Sequence, residues 1–234
     1  MNHVALLGDS ILDNGVYVAP DPDVSEQLRA RLGAEWTVSM VAVDGHVTAD
    51  VRERQLGRVP QGASHIVVSA GGNDALGHSG ILNESARTVA EAVSRLAAAQ
   101  ARFASDYQAM IDAVLALGLP TAVCTIYDAN FAEPQRQLVV SALSLFNDVI
   151  TRAAFARRLD VIDLRLICDD PADYANPIEP SARGGEKIAR AITDWARSAP
   201  AGRSSIWTSK GPEASTGSSN DTDAWTSASE RPAK

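Results

Sequence analysis

"HVALLGDSILD", residues 3–13, is the stretch on which the fold turns. Four apolar residues, Val4 to Leu7, run without interruption into Gly8, and the polar pair Asp9-Ser10 follows at once. A run with no polar alternation has no face to give to water. It reads as a strand of a parallel sheet covered on both sides. The change of character at Gly8 then marks a strand end, and "SILD" the start of a turn or helix.

Four further runs have the same character: "TVSMVAV" (37–43), "HIVVSAG" (65–71), "PTAVCTI" (120–126) and "DVIDL" (160–164). Helical patterns lie between them. "DVSEQLRARLG" (23–33) spaces Val24, Leu28 and Leu32 four apart and stops at Gly33. "TADVRERQL" predicts a shorter helix, residues 85–117 a long Ala-rich helix or a pair, and residues 135–158 another. "SARGGEKIARAITDWARS" predicts a last helix with Ser181 as its N-cap. Strand and helix in repeated alternation specify a three-layer α/β domain with a five-stranded parallel sheet, over residues 1–198. From residue 199 to 234 the chain is rich in Ser, Thr, Gly and Pro, with isolated Trp207 and Trp225. That composition predicts a disordered tail. The two tryptophans are either docking points or incidental.

The 234 residues are 45% hydrophobic and carry a formal net charge of −8. Nucleic-acid binding calls for clustered Lys and Arg, so this balance argues against it. The opening apolar run is too short for a signal segment, and no run reads as a membrane span. The expectation is a cytoplasmic protein with neither nucleic acid nor membrane as partner. Cys124 and Cys168 each close an apolar run, show no metal spacing, and read as buried free thiols.

Ligands of an open α/β sheet collect where strands end. After the first strand, Ser10 stands in "GDSILD" at a strand-to-helix turn, which presents a hydroxyl and leaves its own N–H free. After the second, Gly45 in "VDGHVTAD" allows close backbone approach. After the third, Asn73 in "AGGNDALGHSG" brings a side-chain amide. Three donors at three strand ends suit a developing oxyanion.

In order and placement these blocks resemble the SGNH (GDSL-like) hydrolases, over about residues 3 to 197. The resemblance implies a flavodoxin-like α/β/α sandwich with Ser10 as nucleophile. It implies Gly45 and Asn73 completing the oxyanion hole, a small-molecule acyl ester as substrate, and no metal or organic cofactor. One block departs from the family. Its last motif resembles Asp-x-x-His-Pro-Ser, whereas this chain reads "NPIEPS", with Asn176 in the Asp position and Glu179 in the His position. Asp with neutral His carries one negative charge, and so does Asn with ionised Glu, so the two changes are coherent if the Asn176 amide orients Glu179. Glu179 is then the expected base, provided burial raises it by about two pKa units from its ordinary value near 4.3. His46 and His78 are the alternative imidazoles, while His3 and His65 fall at the opposite strand ends. Asp13 reads as a helix-start residue and Asp74 as a loop anchor. The pocket walls are expected from loops 11–22, 75–84 and 127–137. The alternative to a serine esterase is a catalytically impaired protein of the same fold that uses Glu179 to recognise a ligand.

Overall fold

The computed structural model describes residues 2–198 and 204–208. In chain order the strands and helices are β1 (Asn2–Gly8), α1 (Gly15–Val18), α2 (Val24–Leu32), β2 (Trp36–Met40), α3 (Thr48–Asp50), β3 (His65–Ser69), α4 (Gly72–Gly77) and α5 (Val89–Leu115). There follow β4 (Thr121–Cys124), α6 (Gln135–Ala156), β5 (Asp160–Ile162), α7 (Leu164–Ile167), β6 (Tyr174–Asn176), β7 (Glu179–Pro180), α8 (Ala182–Arg197) and β8 (Ile206–Trp207).

The main sheet is wholly parallel in the order β2-β1-β3-β4-β5-β8. Its centre follows from side-chain character. Val4 to Leu7 and Ile66 to Val68 are fully buried, and burying each large aliphatic side chain is worth about 1.5–3 kcal/mol. Strands that are apolar on both faces therefore sit inside, between two helix layers. Helices α2 and α8 pack on each other over one face, α5 and α6 over the other. Gly8 closes β1 against β3. Its φ is +133°, and a Cβ there would lie 1.7 Å from the Ser69 carbonyl oxygen.

Among the described residues the sheet has six strands where five were expected. The sixth is Ile206–Trp207, inside the stretch read as disordered, and it pairs with β5 while Trp207 packs on the core beneath α8. The rest of that stretch, Trp225 included, lies outside the described residues. "TADVRERQL" is α-helical only at Thr48–Asp50. It continues as a π-helical turn over Val51–Gln55 and a 3-10 turn over Leu56–Arg58.

Contrary to the sequence reading, one helix among the described residues has the length and apolarity of a membrane span: α6. Phe146, Val149, Ile150, Ala153 and Ala154 bury its C-terminal half on the sheet and α5, while its N-terminal half lines a cavity described below. Cys124 and Cys168 are buried free thiols, and burial pushes the Cys168 thiol up to about 12.

Candidate active site

The sheet order changes direction between β1 and β3, which is where a doubly wound sheet opens a crevice at its carboxyl end. Ser10 follows β1 and Asn73 is the second residue of α4 after β3, so both stand at that point. The chain leaves β1 in a single helical turn. The Asp9 carbonyl accepts the N–H groups of Leu12 and Asp13, each at 3.1 Å. Its carboxylate Oδ1 accepts the Ile11 N–H at 3.2 Å. The Ser10 N–H, an orphan donor of that short turn, has no acceptor among the described residues.

Glu179 arrives from the other end of the chain. It is the first residue of β7, paired with Asn176 across a tight β6–β7 hairpin. Two buried side chains tie this end of the chain to its start, Asn14 from the first loop to the hairpin and Gln27 from α2 to the first residue of α8. Asn14 accepts the Val24 N–H with Oδ1 and donates through Nδ2 to the Pro180 carbonyl. Gln27 donates to the Ala182 carbonyl. On the hairpin's far side the Tyr127 hydroxyl donates to the Ile178 carbonyl, and the Asn130 N–H to the Pro177 carbonyl. So braced, the Ser10 hydroxyl donates to Glu179 Oε1 at 3.1 Å, across 169 residues of sequence.

Both partners are 6% exposed, and Glu179 Oε2 has no hydrogen-bond partner among the described residues. Burial pushes the Glu179 carboxyl up to about 7, against the opposing Ser10 hydrogen bond and with help from the Asp44 charge. Asp9, also buried, is pushed up to about 8. Desolvation leads there, the Ile11 N–H opposes it, and the charges of Glu179, Asp74 and Asp44 add to it.

Asn73 donates from Nδ2 to the His46 carbonyl at 3.1 Å, which ties α4 to the turn holding Gly45. Gly45 has φ +81° and an N–H with no acceptor among the described residues. Asp74 holds the same turn from below by accepting from the Thr48 N–H and hydroxyl. Asp13 accepts the Asp44 N–H at 3.0 Å.

Ser10, Asn73 and Glu179 share the wall of one cavity of about 740 Å³, with Asp9 beside them. Gly45 lies outside that wall and reaches it through His46 and Asn73. The remaining lining is largely apolar and includes Leu82, Leu96, Ile126, Leu143 and Phe146. The expected loop walls are therefore only partly right. Residues 75–83 and 126–135 contribute, but loop 11–22 gives Ile11 alone, and much of the lining comes from helices α5 and α6.

One further expectation is corrected. The Asn176 amide does not hold Glu179; it is exposed, and its Oδ1 accepts the Ile178 N–H at 2.9 Å, which shapes the hairpin turn. The His46 ring turns to Gln55, with Nδ1 2.9 Å from Nε2. His78 does line the cavity, beside Phe146, but no histidine among the described residues is hydrogen-bonded to Ser10. His3 contacts Ser39, and His65 lies between Trp36 and Trp195, where burial lowers its pKa.

Sequence reasoning missed Asp9, Asn14 and Gln55. Asp9 stood inside the quoted motif, yet nothing local signals its burial. Gln55 is fully buried, accepts the Gly8 N–H at 2.8 Å and donates to the Gly8 carbonyl at 2.7 Å.

Residues 6–187 match the sequence model of the GDSL-like lipase/acylhydrolase family. A comparison with curated protein sequences finds no match. Among solved structures, the extracellular lipase of Streptomyces rimosus aligns with a TM-score of 0.60 at 19% identity, over 84% of this chain and 99% of that one. Phospholipase A1 of Streptomyces albidoflavus gives 0.58 at 19%, over 84% and 99%. The carbohydrate acetylesterase Est24 of Sinorhizobium meliloti gives 0.58 at 12%, over 83% and 98%. At these identities the likeness to the solved structures is one of fold.

Proposed function

Because the chain belongs to the GDSL-like lipase/acylhydrolase family, and so is an esterase or acyl hydrolase, we propose that it cleaves esters through a Ser10 acyl-enzyme with Glu179 as general base. The observation that carries this reading is the Ser10–Glu179 hydrogen bond at the head of an apolar cavity.

Glu179 Oε1 takes the hydroxyl proton as Ser10 Oγ bonds to the acyl carbon. The carbonyl π electrons move onto oxygen, giving a tetrahedral oxyanion. The Ser10 N–H, the Gly45 N–H and the second Asn73 Nδ2 hydrogen are the donors free to receive it, and such donors act most strongly where water is excluded. Collapse restores the carbonyl and expels the alkoxide, which takes the proton from Glu179. Water then enters, gives a proton to the regenerated carboxylate and attacks the acyl carbon. The Ser10 oxygen leaves with that proton and the acid is released.

An ordinary glutamate would be nearly fully ionised at neutral pH and a feeble proton acceptor. A base works best with its pKa near the operating pH, and the buried carboxyl at about 7 meets that condition. The groups facing it are Ser10, Asp9, Asp44, Tyr17 and Tyr127.

The test is turnover of p-nitrophenyl butyrate. Ser10→Ala should fall to background, and Glu179→Gln should lose about 10²–10⁴ in rate. Equal turnover by wild type and Ser10→Ala would leave the fold as a binding scaffold, with Glu179 as its recognition group.

A further inference from the structure

Two sides of Ser10 differ sharply in character. On one lies the apolar cavity, roofed by α5 and α6. On the other lies a rim of acid that does not line that cavity. After β2 the chain runs along the end of β1, the Val43 N–H donating to the Gly8 carbonyl. This sets the Asp44-Gly45 turn beside Asp9-Ser10. Asp44 is fixed there from two directions. Its N–H donates to Asp13 Oδ2 at 3.0 Å, and its Oδ2 accepts the Tyr17 hydroxyl at 2.7 Å.

Five carboxyls thus surround the nucleophile: Asp9, Asp13, Asp44, Asp74 and Glu179. None is in an ion pair among the described residues, although twelve other carboxylates of the molecule are. Nor does any Lys or Arg figure among the charges acting on Asp9, Tyr17 or Glu179. A second observation points the same way. Glu179, 6% exposed and part of the cavity wall, leaves Oε2 without a donor among the described residues.

Asp9 is held largely protonated at neutral pH, and Glu179 carries the Ser10 proton while the oxyanion exists. The acids left facing the oxyanion are those of the rim, which have no Lys or Arg partner among the described residues. Positive charge arriving with the substrate offsets them. We infer that the substrate is an ester of a cationic alcohol, such as an amino or quaternary ammonium alcohol. Its apolar acyl chain lies in the cavity and its cationic leaving group lies against Asp44 and Asp13. The inference rests on the Ser10 hydrolase reading and adds the chemistry of the leaving group to it. The bonds made and broken are those already described; the alcohol departs with the Glu179 proton and keeps its own positive charge. Asp44 here is a specificity-determining residue and takes no part in proton transfer.

The experiment compares butyrylcholine with 3,3-dimethylbutyl butyrate, which replaces the quaternary nitrogen by carbon at nearly constant shape. At low ionic strength the cationic ester should have about tenfold higher kcat/KM, the effect of one or two partly screened charges nearby. About 1 M salt should remove most of that ratio, since screening then acts within ~3 Å. Asp44→Asn should reduce the ratio too. Equal kcat/KM for the two esters, or a ratio indifferent to both salt and Asp44→Asn, overturns the inference.

If neither ester nor p-nitrophenyl butyrate is cleaved, it is the hydrolase reading that fails. The charge preference is then read without turnover, from calorimetric binding of octyltrimethylammonium against octanol to the full chain. Tighter binding of the cation, weakened by Asp44→Asn, upholds the acidic rim as a cation site, and equal affinity removes it.

Discussion

The burial that suits Glu179 to the proposed role of base works against the stability of the fold. Burial pushes its carboxyl from the ordinary value near 4.3 up to about 7 in the folded chain, so the native state holds the proton more firmly than the unfolded one. The sign follows from linkage. The contribution favours folding below the unfolded value and is lost as pH rises through the folded one. Asp9, raised to about 8, extends the same loss upward. Thermal unfolding temperature should therefore decline between about pH 5 and about pH 8 on account of these two groups. Glu179→Gln should shrink that decline and be the more stable protein at the upper end. Allowing for solvent that reaches the carboxyl through the cavity, the gain is on the order of 1–2 kcal/mol. Scanning calorimetry across that range checks it, and a mutant less stable than wild type at about pH 8 contradicts it. At this scale the sequence was informative where a residue followed a strand end or preceded a helix. Ser10, Asn73 and Glu179 were found that way and do share one cavity. The environment of Asp9 was illegible because it depends on the Ser69 and Gly72 backbones, sixty residues away in sequence.

At the level of elements, the segment between β2 and β3 departs most from its sequence pattern. Nothing in "VRERQ" announces a π-helical turn. The turn is explained by Gln55, which must face inward so that its amide can serve the last peptide of β1, where β2 has already ended. Gln55→Ala should strand the buried Gly8 N–H and cost about 1–3 kcal/mol in urea unfolding. A loss within a few tenths of a kcal/mol would mean that water or a neighbour replaces the amide. The helix expected at 135–158 is present almost to its bounds, as Gln135–Ala156. Its exposed and half-exposed apolar residues made sense only once the cavity was seen, because a helix that lines a ligand site looks, in sequence, like one that lines a core. Ala142 and Leu143 lie on that wall. Ala142→Phe should narrow the acyl compartment and move preference from p-nitrophenyl octanoate toward the acetate. In wild type each buried methylene can contribute up to about 0.8 kcal/mol to binding. An unchanged chain-length profile would place the acyl group elsewhere.

For the molecule as a whole, the parallel sheet and its two helix layers were legible because the strands are apolar without alternation. The strand that was missed, Ile206–Trp207, is two residues long in a Ser-rich setting and gains its order only from β5 and the packing of Trp207. The sheet's reversal between β1 and β3 brings together groups from opposite ends of the chain, and the packing of α2 on α8 holds them there. The account as a whole stands on Glu179 being the group that activates Ser10. The most direct test is the rate of covalent labelling of Ser10 by a fluorophosphonate as a function of pH, which reports activation of the hydroxyl whatever the natural substrate. In wild type the rate should rise with pH to half its maximum near 7, and in the Glu179→Gln protein that limb should be gone. A limb that survives Glu179→Gln, or one that disappears with His78→Ala instead, contradicts it.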